Sequence, residues 1–531
     1  MLVKKIIAYF KFYKHNKKKF NYLNNLDTKT LVMVEFFQYF PSILAFSHYI
    51  EVLTKNFSAK PILYDPAFAR SFFKHYLFLI RCLINPYFYL YRSLGIRKII
   101  LTKKENKFVR KSNEFYNNRL INASKLDFEN LKINNIYIGD LLYDEYLRSN
   151  NKPTIDLENP RFKEFVKKFL ISFYFWEDFF NKKSRSINSM IVSHTVYLIG
   201  LMSRIAVSKG ISVYSVGNAN SNKINKKNIY KFDDTKYFKK TFSKLDTKSK
   251  KEFLKIGELS INGRIGGKID KKTLLADPTE NKVFGSNKRK NKLFKNTGRP
   301  RVLIATHCFT DAVHFYGKSL FPDFFEWVND IGKLSEIYDY DWYIKFHPSE
   351  FDGNRKHFQY FLDKYKKLIL LPKDTKNNVI FKEKVDAVIS IYGSVGHEYP
   401  LFNIPVINAA SIGPHANYSF NYHPKSIKEY HKLIKNIKKL KINKEEVKKE
   451  IYEYNYMRYE SNFELLKDLK GVFVRLKKNF ATPLIFDEYF SYYSIEYNNI
   501  MYQNILNFIK SKELKHYKFN ISKPEDVDVL F

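Results

Sequence analysis

Gly393-Ser394-Val395-Gly396-His397-Glu398 is the stretch of this chain best equipped to hold an anion. It interrupts two apolar runs, VDAVIS before it and IPVIN after it, so it reads as the turn between a buried strand and a helix. N–H groups at such a helix start can cradle a diphosphate, with Ser394 as cap and additional donor. Glu398, one turn into the helix, can accept hydrogen bonds from ribose hydroxyls. The same residues can also close an ordinary strand-to-helix turn through a capping box. Only 18 of the 531 residues are glycine, about half of ordinary usage at ~7%, so Gly393 and Gly396 are informative.

About forty residues upstream, WYIKFHP places Lys345 and His347 at the end of a second buried run. Lys345 can neutralise charge and His347 can donate to a phosphate oxygen, while Pro348 ends the strand. Thr306 and His307 follow a third such run, RVLIAT. With Cys308, Asp311 and His314 they suggest a metal set, but only Asp311 and His314 share helical spacing, so hydrogen bonding or substrate contact is the better reading. Asp339-Tyr340-Asp341 and Asp526-Val527-Asp528 lack the position after a strand that a metal-holding pair needs, and read as surface acids. Gly263 to Lys268 has the wrong spacing for a phosphate-binding P-loop, with Ile269 where Ser or Thr belongs. Three residues at strand-like ends of the N-terminal half are candidate bases: Asp140, which directly follows Gly139, then His194 and Glu35. Each can equally cap the following helix.

These residues need strands to carry them. In the N-terminal half TLVMVEFF, PILYD, RKIIL, NNIYIGD, SINSMIVSH and GISVYSV read as strands, with helical-period segments between them. From Arg301 the alternation restarts through WYIKF, LILL, VDAVIS and IPVIN. Such alternation predicts βαβ units, and hence an α/β protein with two Rossmann-like doubly wound domains facing a cleft, followed by a helical C-terminal tail. The expected divisions are a basic arm (1–26), a first domain (27–240), a basic linker (241–300), a second domain (301–440) and a helical extension (441–531). Residues 281–301 look like an exposed connector, and the lysine-rich run from Pro424 like a solvated amphipathic helix.

The formal charge is +39, yet no zinc-finger, RNP-like or helix-turn-helix pattern accompanies it, and nucleic acid is not the expected partner. Anionic lipid or phosphorylated donors fit the charge at least as well. Cys82 and Cys308 are too few for a disulfide framework and fit a reducing cytoplasm. The N-terminal segment has no adequate apolar h-region or cleavage site, so it is not read as a signal peptide. It is a solvated arm or a peripheral attachment to the inner face of a membrane. The longest apolar segments are interrupted by Glu35, Pro41 and His48, and by Arg81 and Pro86, and do not predict a spanning helix.

Strand-His-Pro, then strand-x-Gly-Ser-x-Gly-x-Glu, then a strand with Pro-Val-Ile, resembles the two-domain GT-B glycosyltransferases of bacterial surface-polysaccharide synthesis. The likeness is to the capsule and lipopolysaccharide branch, including the Kdo-transferring and CDP-glycerol-using enzymes. IGDLLYDEYLR (Ile138 to Arg148) and Val192 to Val216 also look like parts of surface-carbohydrate proteins. The resemblance implies a nucleotide-sugar donor held by His347, Ser394 and Glu398, a glycan or lipid-linked glycan acceptor on the first domain, and no metal or other cofactor. A Gln-x-Ser-like element of the Kdo-type enzymes has no counterpart here. Within the same architecture the alternatives are a polyol-phosphate transferase and a nucleotide-sugar 2-epimerase. From another class, the alternative is a basic nucleic-acid-binding protein.

Overall fold

The computed structural model of the 531-residue chain describes residues 1–217, 221–229, 235–267, 284, 292–346, 354–373, 375–461, 476 and 479–517. The chain forms two compact units. One comprises Met1–Leu142, Leu157–Tyr230 and Asn462–Lys518, the other Tyr143–Asp156, Lys231–Ser461 and Phe519–Phe531.

In the first unit the strands are β1 (Leu31–Glu35), β2 (Lys60–Arg70), β3 (Ile99–Lys103), the short pair β4 (Lys132–Ile133) and β5 (Ile136–Tyr137), β6 (Ile187–Val192), β7 (Ser212–Val216) and β8 (Ser221–Ile224). The main sheet has the order β3-β2-β1-β6-β7-β8. It is parallel except for β8, which runs antiparallel to β7. The chain builds outward from β1 in one direction and from β6 in the other, so the topological switch lies between their carboxyl ends. Helix Phe40–Asn56 connects β1 to β2 and is buried over nearly its whole length, which is why its segment is so apolar.

Three expectations change in this unit. Asn134 to Asp140 is not a strand of the main sheet. Asn134 and Asn135 both take positive φ, 49° and 63°, which makes them the two-residue turn of the β4–β5 hairpin, and Gly139 opens helix Gly139–Ser149. Residues 1–26 are not a loose arm, because Leu2–Lys19 is a helix with Ala8, Phe12 and Asn16 buried. Phe12 stacks on Phe486 with ring centroids 3.9 Å apart. That contact brings helix Leu484–Tyr492 of the C-terminal extension into this unit.

In the second unit β9 (Arg301–Ala305), β10 (Asp341–Lys345), β11 (Leu368–Leu370), β12 (Ala387–Ser390) and β13 (Val406–Asn408) coincide with the apolar runs of the sequence. They form a fully parallel sheet of order β11-β10-β9-β12-β13, with its switch between β9 and β12. Two Rossmann-like units in one chain are the domain content of the GT-B fold class. The described residues of the expected linker are not all exposed connector. Thr247–Ile265 is a helix against helix Lys444–Asn455, so close that a Cβ on Gly257 would collide with the Tyr452 carbonyl. Phe294 is buried, and the N–H groups of Leu293 and Phe294 donate to the Glu383 carboxylate. The lysine-rich run after Pro424 forms two helices, Ile427–Lys435 and Lys444–Asn455, each with one buried face rather than full solvation.

Candidate functional site

The carboxyl ends of β10, β9 and β12 put the second unit's candidate residues side by side. Lys345 pairs with Ala305 in register, and the Ser390 hydroxyl donates to the Ala305 carbonyl at 3.2 Å. Thr306 is tied in by its N–H and hydroxyl, which donate to the Lys345 carbonyl at 3.2 and 3.1 Å. His307 Nε2 lies 3.3 Å from Ser390 Oγ, its ring packed between Phe324 and Tyr392 at 5.0 and 5.1 Å. A Cβ on Gly393 would come within 3.1 Å of Ser390 Oγ and 3.5 Å of the His307 ring. Thr306, His307 and Gly393 are therefore grouped at the switch point of this sheet, with Lys345 on the adjoining strand end of β10.

The glycine turn differs from its sequence reading in three ways. Helix Val395–Glu398 is only four residues long, too short for a substantial helix dipole, so side chains must supply the positive field. Ser394 makes no cap hydrogen bond; its hydroxyl instead lies 3.4 Å from Arg264 Nη2. Gly396 faces inward, where a Cβ would sit 2.5 Å from His415 Nδ1 and 2.6 Å from Asn421 Nδ2, so it is a packing glycine.

Glu398 is fully buried. Its Oε1 accepts from Arg264 Nε and Nη2 at 2.9 and 2.8 Å, and its Oε2 from Asn377 Nδ2 at 3.3 Å. The carboxylate is thus matched by a guanidinium rather than presented on the surface. Lys345 has the opposite character. Burial pushes its ammonium down to about 8, against the upward pull of Glu398 and with a further push from Lys376. Among the described residues its ammonium has no hydrogen bond or close ion pair. A desolvated cation at the carboxyl end of a parallel sheet is a ready partner for an anion. Beneath the turn, His397 Nδ1 meets His415 Nε2 at 3.2 Å, and burial holds both imidazoles well below their usual range and hence neutral.

In the first unit Glu35 ends β1 and Ser193-His194 follow β6, so these two candidates meet at the switch point of that sheet. Glu35 is buried, and Ser193 donates to it from its N–H at 2.6 Å and its hydroxyl at 2.8 Å. Burial raises its carboxyl to about 7, opposed by the Ser193 donors and reinforced by Asp65. His194 is exposed on the same turn, edge-on to Phe37 at 5.9 Å. Three residues on, Tyr197 holds φ 56°, a conformation disfavoured for an aromatic residue, and Gly200 is needed because a Cβ there would collide with the Thr195 carbonyl. Asp140 stands elsewhere. It lies in the first turn of helix Gly139–Ser149, buried, with both oxygens taken by Arg204.

The remaining polar motifs have structural partners. His314 Nδ1 meets Asp144 at 2.6 Å, Asp311 pairs with Arg148 at 3.1 Å, and Arg299 bridges Asp339 and Asp341 at 2.9 and 3.1 Å. Asp341 is buried rather than on the surface. His347, Pro348, Lys268, Ile269 and Asp526-Val527-Asp528 lie outside the described residues. Arg264, Asn377, Ser390 and Ser193 were not legible as site residues. Arg264 stands more than a hundred residues from the turn it supports, and no local spacing signals such a pair.

No family model matches the sequence, and no curated protein matches it. Among solved structures, the chain is similar to a glycosyltransferase from Rickettsia africae (11% identity, 87% of this chain and 99% of that chain, TM-score 0.24). It is similar also to a UDP-GlcNAc 2-epimerase from Neisseria meningitidis bound to UDP-GlcNAc (12%, 85% and 100%, TM-score 0.22). A third is the UDP-GlcNAc 2-epimerase from Methanocaldococcus jannaschii (11%, 78% and 94%, TM-score 0.22). Likeness at this level assigns the chain no activity.

Proposed function

We propose that this protein is a glycosyltransferase that moves a sugar from a nucleotide-activated donor to a growing bacterial surface polysaccharide of the capsule or lipopolysaccharide type. The observation that carries the proposal is the desolvated ammonium of Lys345 at the carboxyl end of β10, which among the described residues has no hydrogen bond or close ion pair. It supplies fixed positive charge where a donor phosphate would rest, with Thr306 and His307 at the same edge. Glu398 and Arg264 hold the turn in place from behind.

In this reaction the acceptor oxygen attacks the anomeric carbon while the bond from that carbon to the phosphate oxygen breaks. The bonding electrons leave with the nucleoside phosphate, whose growing charge Lys345 stabilises. The acceptor proton passes to a base in an inverting transfer. A base must reach its proton, which favours exposed His194 over buried Glu35 and Asp140. Glu35, through Ser193, is the residue that positions the His194 turn.

The test is a thermal-shift screen of UDP, CDP and CMP with the intact chain and with Lys345→Met. A ligand that binds only the folded form raises its melting temperature. One of the three stabilises the natural sequence and fails to stabilise Lys345→Met. If none shifts the transition, or the variant responds equally, the donor site is wrongly placed.

A further inference from the structure

The surface left unexplained by this activity lies on the first unit, on two segments whose apolar side chains face solvent. Helix Phe72–Cys82 buries only Cys82, while Phe72, Phe73 and, just beyond the helix, Ile84 are 79%, 70% and 83% exposed. Phe78, edge-on to Phe36 at 6.2 Å and beneath the Arg70 guanidinium at 4.3 Å, anchors the segment from its inner side. On helix Leu2–Lys19, Ala8, Phe12 and Asn16 point inward. At about 100° per residue, Val3, Ile6, Ile7 and Phe10 fall on the other side, and they and Leu2 are all exposed. Lys14 and Lys17 continue that outer stripe.

The two segments adjoin. The Tyr9 hydroxyl donates to the Pro86 carbonyl at 2.7 Å, two residues past Ile84, and helix Leu2–Lys19 packs against helix Pro86–Ser93. Soluble proteins rarely leave contiguous apolar patches above a few hundred Å² uncovered. The segments that carry this one are basic, with Asp487 beside Lys11 and Glu51 on Lys19 as the acidic neighbours. Residues 1–26 contain seven lysines and no Asp or Glu, and residues 66–98 contain six Lys or Arg and no Asp or Glu.

We propose that this face is a membrane-docking surface whose partner is the anionic interface of a lipid bilayer. The aromatic and aliphatic side chains enter the boundary between headgroups and acyl chains, and the lysines meet anionic headgroups. No helix among the described residues is long and apolar enough to cross a membrane, so the helices lie along the surface. Charge decides against a second copy of the chain. A two-fold contact would set these basic segments against themselves, whereas an anionic bilayer complements them.

The test is flotation of the full chain with phosphatidylcholine vesicles, with and without phosphatidylglycerol. The chain floats with the anionic vesicles, and added salt weakens the association. The variant Phe72→Ser/Phe73→Ser/Ile84→Ser lowers the partition coefficient roughly tenfold or more, as does Lys4→Glu/Lys14→Glu/Lys17→Glu, with unchanged melting temperatures. Should the triple serine variant fold poorly, Phe73→Trp supplies a second readout, its added fluorescence shifting to the blue on anionic vesicles. No flotation, equal flotation of the variants, or an unshifted Phe73→Trp emission overturns the proposal. So does a dimer in sedimentation that the serine variant dissociates while vesicles are ignored.

Discussion

Replacing Glu35 by Gln tests the electrostatics of the first unit directly. Burial lifts this carboxyl from its ordinary 4.5 to about 7 in the folded protein. Because the folded pKa is raised, the folded state binds the proton more tightly than the unfolded state between those two values. Glu35 therefore contributes most below pH 4.5, and that contribution is lost as the pH rises through about 7. At about 1.4 kcal/mol per unit, the loss amounts to about 3 kcal/mol. Gln keeps an acceptor for Ser193 but cannot titrate, so its stability relative to Glu35 rises by about 3 kcal/mol across the same window. A two-unit chain does not unfold in one step, so the readout is local: opening free energies from hydrogen exchange of the β1 and β6 amides, measured from pH 4.5 to 8. A difference between the two proteins that stays constant across this range refutes the reasoning, because it would mean that Glu35 titrates as it does in water.

Ser193→Ala removes a donor that holds the Glu35 carboxyl down, so the loss of β1 protection begins at the same pH but runs to higher pH and goes deeper, by the same exchange measurement. Arg264→Ala strands the buried Glu398 carboxylate and lowers the opening free energy of the β12 amides by about 3–5 kcal/mol in hydrogen exchange, whereas Arg264→Met with Glu398→Leu recovers most of it. Gly396→Ala pushes a methyl against His415 and Asn421, lowering stability by about 1–3 kcal/mol and with it the melting temperature; Gly393→Ala meets looser neighbours and shifts it less. Nucleotide affinity at the second unit falls as pH rises through about 8, where the Lys345 ammonium discharges, and calorimetric titration of Lys345→Met shows no such fall.

Much of the fold was legible because parallel strands buried on both faces leave continuous apolar runs, and β9 to β13 all fall on such runs. β8 was not legible, since SNKI has no apolar run and is held instead by Lys223 and Ser221 pairing with residues 514–516. The Asn134-Asn135 pair carried a readable two-residue turn signal that argued against a long strand there. Strand ends made the candidates readable, Glu35 and His194 in the first unit and Thr306, His307 and Lys345 in the second, because each parallel sheet gathers its own carboxyl edge. What the sequence hid were partners set by tertiary packing. Arg204 claims Asp140, Arg264 claims Glu398, and Phe486 reaches back to Phe12. Each pair joins residues too distant in the chain for any periodicity to record.

Transfer from a nucleotide-activated sugar is read from release of the nucleotide. The intact chain is incubated with UDP-, CDP- and CMP-linked sugars and a capsule or lipopolysaccharide acceptor, and the freed nucleotide is quantified beside Lys345→Met and His194→Ala. Acceptor-dependent release is expected from one donor class, strongly reduced in both variants. Release that ignores both substitutions, or none from any donor, contradicts this assignment.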